Sequence, residues 1–263
     1  MTPTTPTFLL SIFVVVMMYV AEKPVSGNIL MHPPSHQQAG ALPTCFAKKI
    51  SQPLVLSGKM DDPRWQQAKA VKLHDAVSGE PGRFATEVRV LYDNDFLYVG
   101  FRCEDDYVWG SVSERDGPIW DEECVEVFIN PAGVAHQYYE INLSPRNVVF
   151  DACVLNRRTA EKPKETFVPL TDYQVENLQT AVHIEGAFGE RGQAQGWTAE
   201  YAIPFSALIG APNVPPQPAD IWRINFYRID SPQKGQRESY AWSTTGTTAF
   251  HLPWKFGYLR FDP

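Results

Sequence analysis

The segment Ile119-Trp120-Asp121-Glu122-Glu123 runs directly into Cys124-Val125-Glu126-Val127-Phe128-Ile129. A large aromatic and three acids thus stand before an apolar alternation. In extended backbone Val125, Val127 and Ile129 share one face, and Glu126 points from the other, at the end nearer Trp120. Chemistry of this kind suits a sugar ring, which has apolar C–H faces and a rim of hydroxyls. An aromatic side chain covers the C–H face, and carboxylates, amides or guanidinium groups hydrogen-bond the rim. The plainer reading is a packed tryptophan beside a solvated acidic loop, since an isolated tryptophan is usually core.

A second candidate is Trp242, in SYAWSTTGTTAFHLPWKFG, where a strand end enters a Thr/Gly loop followed by His251, Pro253 and Trp254. Loops at sheet ends commonly carry binding residues, and two tryptophans on neighbouring loops could clamp one ring. A lone histidine such as His251 is more often a hydrogen-bonded loop residue than a ligand contact. Strand parity adds polar groups. In QYYEINL, Tyr138, Glu140 and Asn142 oppose Tyr139, Ile141 and Leu143. In IWRINFYRI, Arg223, Asn225 and Tyr227 oppose Trp222, Ile224 and Phe226. Arg228 falls in the apolar register and needs an acid such as Glu126 if buried, so a structural ion pair stands beside a ligand contact as its reading. The candidate carbohydrate-binding set is Trp120, Glu126, Trp242, Arg228, Asn142 and His251, with no catalytic residue.

Four oxygen-rich clusters could hold calcium: Asp61/Asp62, Asp93/Asn94/Asp95, Glu104/Asp105/Asp106 and Asp121/Glu122/Glu123. None has EF-hand spacing, and turn-forming or solvated acids are the default. No cofactor is required by any motif. GxSxG, HExxH, Walker A and dinucleotide GxGxxG patterns are absent. Two carboxylates could make a glycosidase, but with 30 acids in the chain their pairing in sequence means little.

The elements that must position these residues have period two. TEVRVLY and FLYVGFR flank an Asp-Asn-Asp turn, ECVEVFI follows, and QYYEINL and NVVFDACV flank SPR. VENLQTAVHIEG, WTAEYAI, IWRINFYRI, ESYAW and FGYLRF complete about ten strands. Helical pieces are short: residues 57–68, where Asp62 caps, Pro63 opens the turn and Trp65 packs, and PFSALIG. The expectation is an all-β protein, a β-sandwich of two antiparallel sheets, immunoglobulin-like or jelly-roll-like.

Phe8 to Ala21 is an unbroken nonpolar run, shorter than a spanning helix and matching the core of a secretory signal, although no Lys or Arg precedes it. Residues 1–27 are read as a signal peptide or N-terminal anchor, 28–52 as a linker and lead-in, and 53–263 as the sandwich. Export, to a secreted or periplasmic location, permits disulfides among Cys45, Cys103, Cys124 and Cys153, whose pairing sequence leaves open; buried thiols are the alternative. A net charge of −7 without a basic run excludes the footprint of a nucleic-acid binder.

With these pieces in hand, the chain resembles carbohydrate-binding module family 9, in a stand-alone family 9-like form. GKMDDPRW, LYDNDFLYVGFRCED, IWDEECVEVFINP, YYEINLSPRNVVFDA, GWTAEYAIPFSAL, WRINFYRID and YAWSTTGTTAFHLPWKFGYLRF occur in the family's order from residue 54 to 262. The resemblance implies a β-sandwich that binds the end of an oligosaccharide or polysaccharide between two tryptophans, and members can contain structural calcium. Trp120 matches the tryptophan before the acidic strand, Glu126 its carboxylate partner, and Trp242 is the best match for the second aromatic. The family is commonly joined to glycosyl hydrolases, whereas no catalytic domain is visible here, so association with separate glycan-degrading enzymes is the expected setting. Two other classes compete. A haem-binding electron-transfer sandwich of the dopamine-monooxygenase N-terminal type would need Met and His ligands, and beyond the leader only Met31 and Met60 remain. A cryptic glycoside hydrolase is the other.

Overall fold

The computed structural model describes residues 41–233 and 235–262; the expected signal segment at 1–27 lies outside them. Fourteen strands make up the described chain: β1 (Thr44–Lys49), β2 (Val71–Lys72), β3 (His74–Asp75), β4 (Thr86–Tyr92), β5 (Phe96–Glu104), β6 (Cys124–Asn130), β7 (Gln137–Leu143), β8 (Val149–Asn156), β9 (Phe167–Leu170), β10 (Gln179–Gly186), β11 (Ala194–Pro204), β12 (Ile221–Asp230), β13 (Glu238–Ala241) and β14 (Gly257–Asp262). Helical structure is confined to four short 3-10 turns. The first, Pro63–Gln67, opens as its sequence requires, with the Asp62 carboxylate accepting from Arg64 N.

Where two separate antiparallel sheets were expected, the ladder is continuous, in the order β10-β11-β5-β4-β1-β14-β12-β6-β7-β8-β9. The join is β1, which pairs in parallel with both β14 and β4. Residues 44–49 were read as part of the lead-in, so the domain begins before Leu54. The signal was faint: only Cys45 and Ala47 alternate inward in a six-residue strand. The sheet curls so that its two ends share one core. Phe101 on β5 meets Phe226 on β12 edge to face at 6.0 Å, and the Tyr201 hydroxyl on β11 donates to the Val125 carbonyl on β6 at 2.9 Å. Strand parity decides what enters that core. Val125, Val127 and Ile129 point in with Tyr139, Ile141 and Leu143.

The opposite faces are covered too. On β4, β5 and β11, Leu91, Tyr98 and Ala202 pack against Trp65 of the first turn and against Met60 and Ala68 on either side of it. Trp65 is fully buried, as expected, and its indole N–H donates to Glu200 at 2.9 Å. On β6, β7, β8 and β12 the outward positions Cys124, Phe128, Tyr138, Phe150, Ala152 and Tyr227 form a second apolar layer, roofed by the loops around Trp120 and Phe250. All four cysteines are buried free thiols. Among the described residues no helix is long and apolar enough to cross a membrane.

Candidate functional site

The second apolar layer is incompletely filled. A cavity of about 350 Å³ opens on the outer face of β6, β7 and β8, within the range of small-ligand pockets. Its floor is set by register. Glu126 pairs with Asn142 and Phe128 with Glu140 across β6 and β7, so the two glutamates sit diagonally on one face. Asn142 pairs in turn with Phe150 on β8. Trp120, in the 3-10 turn Ile119–Asp121, forms a wall and packs edge to face on Phe150 at 4.7 Å. The remaining walls are Phe167 from β9 and Phe250 and His251 from the loop before β14. Arg237 and Thr248 line the exposed mouth.

Three of the six residues expected at the site therefore meet: Trp120, Glu126 and His251. Asn142 lies behind them, fully buried, its amide nitrogen donating to Glu140 at 2.9 Å. Trp242 and Arg228 are elsewhere, which corrects the expectation for both. Trp242 turns into the main core because the β12–β13 pairing continues one residue further, through Trp242 N to Phe226 O at 3.0 Å. Its ring packs on Phe226 and fills the space a β-carbon at Gly257 would need, so that glycine is required by close approach. The aromatics that do face Trp120 across the cavity are phenylalanines. Arg228 is buried with different acids from the suggested Glu126. It donates to Asp105 at 2.6 Å, Asp230 at 3.2 Å, Thr86 Oγ1 at 3.1 Å and the Glu104 carbonyl at 2.8 Å.

Glu140 was visible in the sequence as the parity neighbour of Asn142 on the acidic strand face. Phe128 and Phe150 carried the same signal, being outward residues on strands beside Glu126. Phe167 carried none, because the four residues of β9 show no apolar alternation.

The cavity offers both kinds of hydrogen-bonding group. Asn156 Nδ2 donates to the Tyr138 hydroxyl at 3.1 Å, and that hydroxyl lies 2.7 Å from His251 Nδ1. The order of donors makes Tyr138 the donor to Nδ1, so the ring carries its proton on Nε2, on the side of Glu140. Burial, with a smaller contribution from the Arg158 charge, lowers the His251 pKa to about 3. The ring is neutral, and its 3.8 Å approach to Glu140 is not an ion pair. Phe167 stacks on the imidazole at 3.8 Å and holds its orientation.

Glu126 and Glu140 are both nearly inaccessible to solvent, and among the described residues no Lys or Arg lies within ion-pair distance of either. Burial pushes both carboxyl pKa values upward. The Glu126 charge raises Glu140 further, while Arg237 partly offsets the rise at Glu126. Groups raised above the ordinary value of 4.5 stabilise the fold fully below that value, and the contribution is lost as pH climbs through the raised folded-state values. Stability is thus expected to decline from about pH 5 towards about pH 8, and Glu140→Gln is expected to flatten that decline and to unfold later at the alkaline end. Urea midpoints measured across this range check it; parallel curves for the two proteins contradict it.

A second acidic group lies at the start of β6. Asp105, Glu123 and Asp230 are buried, with carboxylate oxygens within 4.8 Å of one another, and Arg228 bonds two of them. Glu123 Oε1 and Asp230 Oδ1 have no hydrogen-bond partner. Burial first, then the charges of Asp105 and Asp230, push the Glu123 carboxyl up to about 10. Two of the four acidic clusters noted in the sequence thus converge, joined by Asp230.

Residues 56–262 match the model of the family described as carbohydrate family 9 binding domain-like. A candidate carbohydrate-binding protein from Bacteroides uniformis is similar at a TM-score of 0.67 and 19% identity, with 84% of this chain and 100% of that chain covered. A family 9 carbohydrate-binding module from Caldicellulosiruptor kristjanssonii, solved with glucose, is similar at 0.57 and 12% identity, covering 84% of this chain and 96% of its own. The same module solved with cellotriose gives 0.57 and 12%, covering 84% and 94%. At these identities the likeness shows the fold. No curated protein matches.

Proposed function

Because this chain belongs to the carbohydrate family 9 binding domain-like family, we propose that it is a non-catalytic saccharide-binding domain whose ligand seats in the cavity beside Trp120. The observation that carries this reading is the juxtaposition of a partly buried tryptophan with two buried carboxyl groups and a neutral imidazole in one cavity. The indole covers a C–H face, and the carboxyl oxygens and the His251 Nε2–H supply acceptors and a donor for hydroxyls. Glucose and cellotriose in the similar modules support a hexose or the end of a short glucan as ligand class. The curled sheet is read as a β-sandwich closed by β1, a rigid frame on which the loops of the site sit. Calorimetric titration of the full chain with glucose, cellotriose and a wider panel tests the proposal. Saturable binding is expected, and absence of binding across the panel overturns it.

Export rests on the apolar run at 8–21, and a supporting role in glycan breakdown beside separate enzymes rests on the family's usual setting.

Calcium belongs to the same reading. The buried Asp105, Glu123 and Asp230 carboxyls face the one positive charge of Arg228, burial keeps Glu123 protonated, and two of their oxygens are unpartnered. Oxygen donors, a carboxyl that gives up its proton when a cation arrives and unfilled acceptors fit a divalent hard cation. These three carboxylates would hold it, and the ion would neutralise the pocket and tie β5, β6 and β12 together. Calcium at about a hundred times its Kd is expected to add about 2.7 kcal/mol, raising the melting temperature by about 5–10 °C. Melting in calcium and in chelator checks this; identical melting contradicts it.

A further inference from the structure

Charge in the cavity selects among saccharides. Resting on the reading above, we infer that the cavity beside Trp120 is built for a sugar carrying a protonated amine, a 2-amino-2-deoxyhexose, in preference to its neutral counterpart. Two carboxylates, Glu126 and Glu140, point into one apolar cavity and are 2% and 6% exposed. Their protein partners are the Cys124 thiol for Glu126 and the Asn142 amide for Glu140, and neither partner carries positive charge. A buried carboxyl without a cation is driven towards its protonated form, and a ligand that brings the cation favours the ionised form.

The charged groups that face the pair from neighbouring elements leave this deficit open. His251, from the loop before β14, is neutral. Arg158, after β8, lies over the Phe167 ring at 4.6 Å and donates to the Glu165 carbonyl at 2.7 Å. Arg237, before β13, is exposed at the mouth. There it lies 5.6 Å from the Phe250 ring and donates to Ser239 Oγ at 3.2 Å and to the Trp120 carbonyl at 3.4 Å. Its charge is therefore screened by solvent, whereas the two acids are not. The walls agree with a cationic guest. The Trp120 indole attracts an ammonium group through its ring face, and the effect grows when the partner is desolvated. An anionic sugar would place its carboxylate against Glu126 and Glu140 and is disfavoured.

The test is titration of the full chain with glucosamine, glucose and N-acetylglucosamine at pH 7 and low salt. Glucosamine is expected to bind at least about tenfold more tightly than glucose. N-acetylation, which removes the charge and keeps the nitrogen, is expected to abolish that advantage. Added salt is expected to narrow it. The Glu126→Gln/Glu140→Gln double variant, checked by its melting curve, is expected to lose the difference between the two sugars. Equal affinity for glucosamine and glucose in the unaltered chain overturns this inference and leaves saccharide binding intact. Binding of none of the three overturns this inference, and absence of binding across the wider panel as well overturns saccharide binding. A preference that survives in the folded double variant overturns the assignment to the two glutamates.

Discussion

Replacing Trp120 with alanine is expected to weaken saccharide binding by about thirtyfold or more, equivalent to about 2 kcal/mol. The size follows from position. Trp120 is the cavity's partly exposed indole, and it rests on Phe150 rather than on the main core. Removing it takes away the ring surface a sugar face would cover and leaves the curled sheet intact. Trp242 provides the contrast. It is packed on Phe226 inside the main core, so Trp242→Phe is expected to cost stability while leaving affinity within about twofold. Parallel titrations and melting curves separate the two effects. Loss of affinity in Trp242→Phe with none in Trp120→Ala reverses the assignment.

Arg228→Met is expected to destabilise the fold by about 3–5 kcal/mol, among the largest single-residue effects in the chain. Arg228 is 1% exposed and has four hydrogen-bond partners drawn from β4, β12 and the end of β5. Methionine fills much of the volume but leaves Asp105, Glu123 and Asp230 facing one another without a countercharge. The loss is expected to be smaller in calcium than in chelator, because a bound divalent ion replaces part of the missing charge. Urea unfolding under both conditions measures it. A change below about 1 kcal/mol in chelator contradicts the account of this cluster.

How much of this was legible in the sequence depends on the physical signal each residue carries. Period-two alternation is a local property, so β4 and β7 were readable to the residue and β5, β6 and β12 nearly so. Parity also assigned faces correctly: Glu126, Glu140 and Asn142 do oppose the core residues of their strands. β1 escaped because its pairing is parallel and long-range, with partners more than forty residues away in both directions along the sheet. Trp242 was misplaced for a related reason. Whether a strand ends before or after one residue decides which way that residue points, and a ladder bond to β12 extended it inward. Arg228 was recognised as needing an acid, but which acid depended on the curl of the sheet, which brings Asp105 and Asp230 to it. Phe167 entered the site through the pairing of β9 with β8, and Phe250 through the loop before β14, neither of which a local pattern encodes.

The central claim is that a saccharide occupies the cavity beside Trp120. The most direct measurement is a nitrogen–proton correlation spectrum followed during titration, because the chain's seven tryptophans each give one indole N–H signal. Trp120 is assigned by its disappearance in Trp120→Phe. On addition of glucosamine or glucose, the Trp120 indole signal is expected to move in a saturable way, while those of the buried Trp65, Trp197, Trp222 and Trp242 stay in place. Saturable binding that leaves the Trp120 signal unmoved would contradict the account and put the ligand on another surface.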